Sequence, residues 1–301
     1  MPELPEVDVV RAGLTPALTG AKVQAIEVFD RRSLKRHRPE LGEFEEILPG
    51  VTFMAPIRRG KFMWVPFADN LALLAHLGMS GQMLLRSPDA TDDKHVRVRI
   101  WLEHSKDGEL RLDFSDQRIF GSLAIDELVE TGDGFAAGLG SDSSLIPIQA
   151  AHISRDALDP HFDTAMFKRR LKRRNSEIKR SLLDQSLISG IGNIYADEAL
   201  WASRVHPQMP SAELSNRKVD ELLINVKQVF SKALAEGGTS FDAQYVNVNG
   251  QSGYFAHSLN AYGQTGKPCA RCGTPIARAP FMNRSSHFCP KCQRLGRSKV
   301  I

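Results

Sequence analysis

The sequence predicts an α+β chain of several domains, and three observations carry that expectation. Apolar residues recur at helical spacing over the first twenty positions and again from about 151 onward. Between them, over 21–130, run short alternating or continuous apolar stretches with the texture of strands. All four cysteines fall near the end, as two C-x-x-C pairs. A length of 301 residues is enough for two separate hydrophobic cores.

The first element is a helix over 1–20. MPELPEVDVV places Pro2, Glu3, Pro5 and Glu6 at its start. Proline suits the first helical positions, and carboxylates suit the positive end of the helix dipole. Val7, Val10 and Leu14 then form one apolar stripe. Strands follow in AKVQAIEVF, FMWVPF, LALLAHLGMSGQMLL, HVRVRIWLE and ELRLDFSD, separated by turn signals such as LPG and KDG. The stretch TGDGFAAGLGSDSSLIP (131–147) is rich in Gly and Ser and lacks periodicity. Residues 131–150 therefore read as a linker after a first domain over 1–130.

Helical texture then takes over. Asp163 is placed to cap a helix that turns Phe167 and Leu171 inward. Asn175 or Ser176 is placed to cap a second, with Ile178, Leu182 and Leu183 on one face. GIGN (190–193) interrupts the pattern, IYADEALWASR resumes it, and a longer helix follows near 213–236. GGTSFDAQYVNVNGQSGYF (237–255) reads as a Gly-rich loop or strand-loop segment. A second domain over 151–262 and a third over 263–301 complete the outline.

The formal net charge of +4 is modest, so its distribution matters more than its size. It concentrates in RRSLKRHR (31–38), KRRLKRRNSEIKR (168–180) and KCQRLGRSKVI (291–301). One such run is as well explained by a solvated helix face; three together point to a phosphate backbone as partner. No apolar run approaches the ~18 residues of a membrane span. The first residues carry no basic start followed by an apolar stretch, so a cytoplasmic protein is expected.

Cys269-Ala-Arg-Cys272 and Cys289-Pro-Lys-Cys292 stand sixteen residues apart. Two such knuckles brought together by a β-hairpin satisfy tetrahedral zinc geometry. Two disulfides are the alternative, and they would need an oxidising compartment. A four-thiolate site has no open coordination position, so one structural Zn2+ is expected there. FMNRSSHF (281–288), between the pairs, has the composition of a hairpin tip that grips a phosphate or enters a minor groove; an ordinary solvated turn has it too.

Taken together, several ordered motifs resemble those of bacterial formamidopyrimidine-DNA glycosylases. They are PELPEV at the start, RRGKF at 58–62, HLGMSG at 76–81, DQRIFG at 116–121, SGIGNIYADEAL at 189–200 and the cysteine finger. The resemblance runs from Pro2 to about Gln293. It implies a two-layered β-sandwich domain behind an N-terminal helix, a helix-two-turn-helix domain and a C-terminal zinc-finger β-hairpin, with DNA in the cleft. It implies removal of oxidised purines and strand nicking by β,δ-elimination. The implied partner is double-stranded DNA carrying oxidised bases or abasic sites, bound by a monomer at the bacterial nucleoid.

The resemblance also implies roles. With Met1 removed, Pro2 presents a secondary α-amine as nucleophile. Glu3 is the implied general acid/base, and Glu6 orients and tunes it. Lys61 in RRGKF is the implied proton donor for β-elimination and contacts the lesion phosphate. Arg284 is tied to the second elimination. Met79, Arg118 and Phe120 would fill the void left by a flipped base; without the resemblance, Met79 and Phe120 read as core residues. His76, His95, Arg174, Lys179, Asn193 and Tyr195 are the other implied DNA-binding residues, and 237–255 would cover the base. GLGSDSS (138–144) departs from the family's commoner Leu-Gly-Pro-Asp/Glu-Pro segment, which bears on domain orientation rather than chemistry. The related endonuclease VIII type, specific for oxidised pyrimidines, is the nearest alternative, although Leu4-Pro5 replaces its usual Gly-Pro. A non-catalytic damage-binding zinc protein is the other.

Overall fold

The computed structural model describes residues 2–67, 70–239, 248 and 255–295. The chain packs as two compact units: Met1–His152 with Glu236–Tyr254, and Ile153–Ala235 with Phe255–Ile301.

The first unit contains helix α1 (Leu4–Leu18), strand β1 (Lys22–Val28) and the single turn α2 (Phe44–Ile47). Then come β2 (Ile57–Arg59), β3 (Phe62–Phe67), β4 (Leu71–His76), β5 (Gly81–Arg86), β6 (Val96–His104), β7 (Gly108–Asp116), β8 (Ser122–Glu130) and β9 (Leu145–Pro147). They form two antiparallel sheets, one ordered β1-β6-β7-β5 and the other β2-β3-β4-β8-β9. Side chains two apart in sequence share a sheet face. Val98, Ile100, Leu112 and Phe114 of one sheet thus meet Met63, Val65, Leu73, Ala75, Leu123 and Ile125 of the other in one core. Val7, Val10, Leu14 and Leu18 of α1 join that core, so the expected apolar stripe is the buried face of the helix. The apolar run LALLAHLGMSGQMLL is two strands, because residues 77–80 turn the chain from one sheet into the other.

Residues 131–150 are not an open linker. β9 pairs with β8, and Leu139 and Arg58 exchange backbone hydrogen bonds at 2.9 Å. Gly138 permits this approach, since a Cβ there would lie 2.3 Å from the Arg58 carbonyl oxygen. Small residues that read as flexibility are here the condition for close packing.

The second unit is helical. It comprises α3 (Thr164–Lys172), α4 (Ile178–Leu182), α5 (Asn193–Ala202) and α6 (Asn216–Ala235), followed by the hairpin β10 (Ala277–Phe281) and β11 (Arg284–Phe288). Asp163 caps α3 through a 2.8 Å bond from the Met166 N–H to its carboxylate. The cap of α4 is Glu177, not Asn175 or Ser176. The Ile178 and Lys179 amides donate instead to the Met209 and Pro207 carbonyls at 2.8 and 3.1 Å, so a distant segment replaces a capping side chain. Val219, Leu222, Leu223, Val226, Phe230 and Ala233 form the buried stripe of α6. Among the described residues no helix is long and apolar enough to cross a membrane.

Candidate active site and nucleic-acid interface

Pro2 and Glu3 precede α1 and are buried, as is Glu6. The Glu3 N–H donates to Glu6 Oε2 at 2.9 Å, the return half of a capping box. Glu6 Oε1 accepts the Thr239 N–H and hydroxyl at 2.8 and 2.9 Å. One carboxylate therefore joins the start of the chain to a residue 233 positions away. Two residues after Glu6, Asp8 accepts Arg11 Nε at 2.7 Å and the buried Arg58 Nε at 3.2 Å. Arg58, the first residue of RRGKF, fastens the β2–β3 hairpin to α1. Lys61 stands in the two-residue turn of that hairpin, between Arg59 and Phe62.

His76 ends β4, and its ring lies 4.9 Å from that of Phe62. Burial, with the charges of Arg36, Lys61 and Lys35 around it, lowers its imidazole from 6.5 to about 4. Its Nδ1 accepts the Gly78 N–H at 3.2 Å, as a neutral ring can. When unfolded, the ring binds a proton below 6.5; when folded, only below about 4. Its contribution to stability is complete above 6.5 and drains as pH falls toward 4. The melting temperature of the wild type should thus fall more steeply over that window than that of His76→Gln. Parallel curves would remove His76 from the effect.

Met79 and Phe120 are 40% and 49% exposed, which excludes the core-packing alternative. Their loops are built together. Gly78 has φ +61, and a Cβ there would lie 2.4 Å from the Phe120 carbonyl carbon. The exposed Arg118 guanidinium sits 5.1 Å from the Phe120 ring centroid, a cation–π contact. Lys35 Nζ donates to the Ile119 and Phe120 carbonyls at 3.0 and 3.1 Å. Asp116 clasps both loops from beneath. Its fully buried carboxylate accepts Ser80 Oγ at 2.5 Å, the Arg118 N–H at 3.1 Å and the Gly121 N–H at 2.7 Å. Its own N–H donates to the carbonyl of His95, a half-buried residue just before β6.

The expectations missed Asp116, Ser80 and Lys35. An acid ending the strand ELRLDFSD, inside DQRIFG, was the available signal. Asp116→Asn places an amide against backbone donors. It should lower stability by roughly 2 kcal/mol in urea unfolding; an unchanged midpoint would contradict the clasp.

In the second unit, α5 carries most of GIGNIYADEAL. Asn193 opens the helix, and its Nδ2 donates to the Ser285 carbonyl at 3.2 Å. Tyr195 is 1% exposed and packs against Phe230 and Phe255 at 5.3 and 5.6 Å. Lys179 is 0% exposed, paired with Asp197 at 2.7 Å. Each ring or ammonium is enclosed by its own unit. Burial pushes the Glu198 carboxyl up, while the backbone N–H groups of Ala261, Asn260 and Tyr262 pull it back. Arg174 pairs with Asp184 at 2.6 Å and stays half-buried. Arg284 is exposed at the start of β11, beyond the tip residues Met282 and Asn283. The segment 237–255, apart from 237–239, 248 and 255, lies outside the described residues, as does Met1.

The four cysteine sulfurs lie within 4.8 Å of one another. Cys272 Sγ is 3.5 Å from Cys289 Sγ and 3.4 Å from Cys292 Sγ, far beyond the ~2.05 Å of a disulfide. Thiolates bound at ~2.3 Å around one tetrahedral ion stand nearly 4 Å apart, so the cluster fits zinc. Trp201 of α5 packs on it, with the Arg271 guanidinium 3.7 Å from the indole centroid.

A buried pair of carboxylates behind an N-terminal proline, exposed side chains on clasped loops, basic surface groups and a four-thiolate finger define a nucleic-acid-acting zinc protein. The comparisons make this specific. The formamidopyrimidine-DNA glycosylase N-terminal domain matches residues 1–123, the H2TH domain of the same proteins 153–244, and the zinc finger found in FPG and IleRS 266–295. A formamidopyrimidine-DNA glycosylase of Leifsonia xyli is 59% identical over 98% of this chain and 100% of its own length. That of Thermobifida fusca is 51% identical over 97% of each. Two solved structures are similar at 29% identity and a TM-score of 0.80: Lactococcus lactis Fpg with abasic-site DNA, covering 97% of this chain, and MutM with carbocyclic 8-oxo-G DNA, covering 98%; each is matched over its full length. The chain belongs to the formamidopyrimidine-DNA glycosylase family.

Proposed function

We propose that this chain is a bifunctional DNA glycosylase and AP lyase of base excision repair. In this reading it removes 8-oxoguanine and formamidopyrimidines from duplex DNA in the bacterial cytoplasm. The observation that carries the reading is the start of α1, where Pro2 adjoins two buried carboxylates in a chain of this family.

Once Met1 is removed, Pro2 is a secondary α-amine. Such amines titrate near ~8 rather than the ~10.4 of lysine, so part is unprotonated at neutral pH. The amine attacks C1′ of the damaged nucleotide, and the base leaves with the bonding electrons. Glu3 protonates the sugar oxygen as the ring opens, leaving an iminium between Pro2 and C1′. A secondary amine gives an iminium with no N–H to lose, so it stays cationic and acidifies the C2′ proton. Loss of that proton expels the 3′ phosphate, for which Lys61 is the proton donor. A second elimination expels the 5′ phosphate, with Arg284 bearing on that phosphate. Water then hydrolyses the Pro2 linkage. Glu6, held by Glu3 and Thr239, supports this geometry. Met79, Arg118 and Phe120 fill the vacated stack, while His76, His95, Arg174 and Asn193 serve the DNA backbone.

Borohydride reduction during reaction with an 8-oxoguanine duplex should trap a covalent adduct on Pro2, located by peptide mapping. Absence of an adduct would favour a damage-binding protein without catalysis. One similar structure, of Lactococcus lactis Fpg, holds DNA with an oxidised pyrimidine. Excision from thymine glycol duplexes belongs in the same experiment, and faster removal there would overturn the purine assignment.

A further inference from the structure

Zinc by itself leaves Arg284 poorly placed. Four residues of β11 stand between it and the nearest zinc-site cysteine, Cys289, and those five steps at strand rise span roughly 16 Å. A two-stranded hairpin is only marginally stable alone, and a one-residue slip would turn Arg284 to the opposite face. The register of β11 is instead held from the side by buried ions. Asp197 Oδ2 accepts both the N–H and Nδ1 of His287 at 2.9 and 3.0 Å. Asp197 Oδ1 pairs at 2.7 Å with Lys179, whose Nζ donates to the Ser285 carbonyl and Ser286 hydroxyl, each at 3.0 Å. Three consecutive residues after Arg284 are thus fixed to α4 and α5. A buried ion pair is a weak source of net stability, and setting register is its best-attested use.

We propose that Asp197, through Lys179 and His287, is a positioning residue for Arg284 and thereby governs the second elimination. The proposal rests on the role given to Arg284 above.

The test is single-turnover cleavage of an abasic-site duplex by the full-length zinc-loaded protein, reading the ratio of 3′-phosphate (δ) to 3′-unsaturated aldehyde (β) ends. Asp197→Asn should retain one zinc per chain and form the borohydride adduct within twofold of wild type, while the δ-to-β ratio falls at least tenfold. An unchanged ratio at full zinc overturns the proposal. Should Asp197→Asn shed zinc, Ser286→Ala decides, because it removes a single hydroxyl from Lys179: a lowered ratio supports positioning, and an unchanged one overturns it. Arg284→Ala runs in parallel. If its ratio falls while that of the Asp197 variant does not, positioning alone fails. If Arg284→Ala also leaves the ratio unchanged, the role of Arg284 fails and takes the proposal with it.

Discussion

Pro2→Gly should slow excision of 8-oxoguanine by about 100-fold or more while leaving duplex affinity within a few-fold. Glycine still offers an α-amine, so the loss measures what the pyrrolidine ring adds. A primary amine condenses to an imine whose N–H proton can depart, and the neutral imine is a weak electron sink. Glycine also frees a backbone torsion that proline fixes just before α1, so the amine loses its fixed direction. The carboxylates remain, because Glu6 is held by Glu3 and Thr239, not by Pro2. Single-turnover gels report excision and filter binding reports affinity. Undiminished excision would remove Pro2 from the mechanism. A parallel fall in affinity would assign the effect to folding of the N-terminus.

Cys289→Ser should abolish stoichiometric zinc binding and weaken DNA binding at least tenfold. Zinc binding to such sites carries about 10–16 kcal/mol of apparent free energy, nearly all of it folding free energy of the finger. Cys289 is fully buried, and its N–H donates to Gln293 Oε1 at 2.8 Å. Gln293 Nε2 in turn donates to the Val205 carbonyl at 2.8 Å, tying the finger to the helical part of its unit. Without the metal, the hairpin bearing Arg284 loses one of its anchors. Trp201, packed on the cysteines, should become solvated and shift its emission to the red. Metal analysis, fluorescence and filter binding check these outcomes. Retained zinc with unchanged affinity would refute the structural role.

Much of the chemistry was legible because it is local. The C-x-x-C spacing predicts a four-thiolate cluster, since each knuckle closes within four residues. Asp163 caps α3 as expected because a cap needs only the helix's own first amides. The Val7, Val10 and Leu14 stripe is buried as its period requires. The α4 cap was not legible, because the Pro207 and Met209 carbonyls that replace it come from another segment. Nor was the packing of 131–150, where a glycine-rich composition looks the same in a loose linker and in a tight backbone contact.

Composition, spacing and ordered motifs alone determined the α+β class, the finger and the family, for these depend on residue identity and short-range periodicity. Tertiary structure decided which members of those motifs meet solvent. Lys179 and Tyr195 stand in basic or motif sequence, yet partners 107 and 60 positions away, Ser286 and Phe255, help to enclose them. Asp116 became the clasp of Met79 and Phe120 only when two loops crossed its strand end. Whether a lysine grips a phosphate or locks a hairpin is decided by desolvation and by the carboxylate it meets. Both are properties of packing, which no local window of sequence contains.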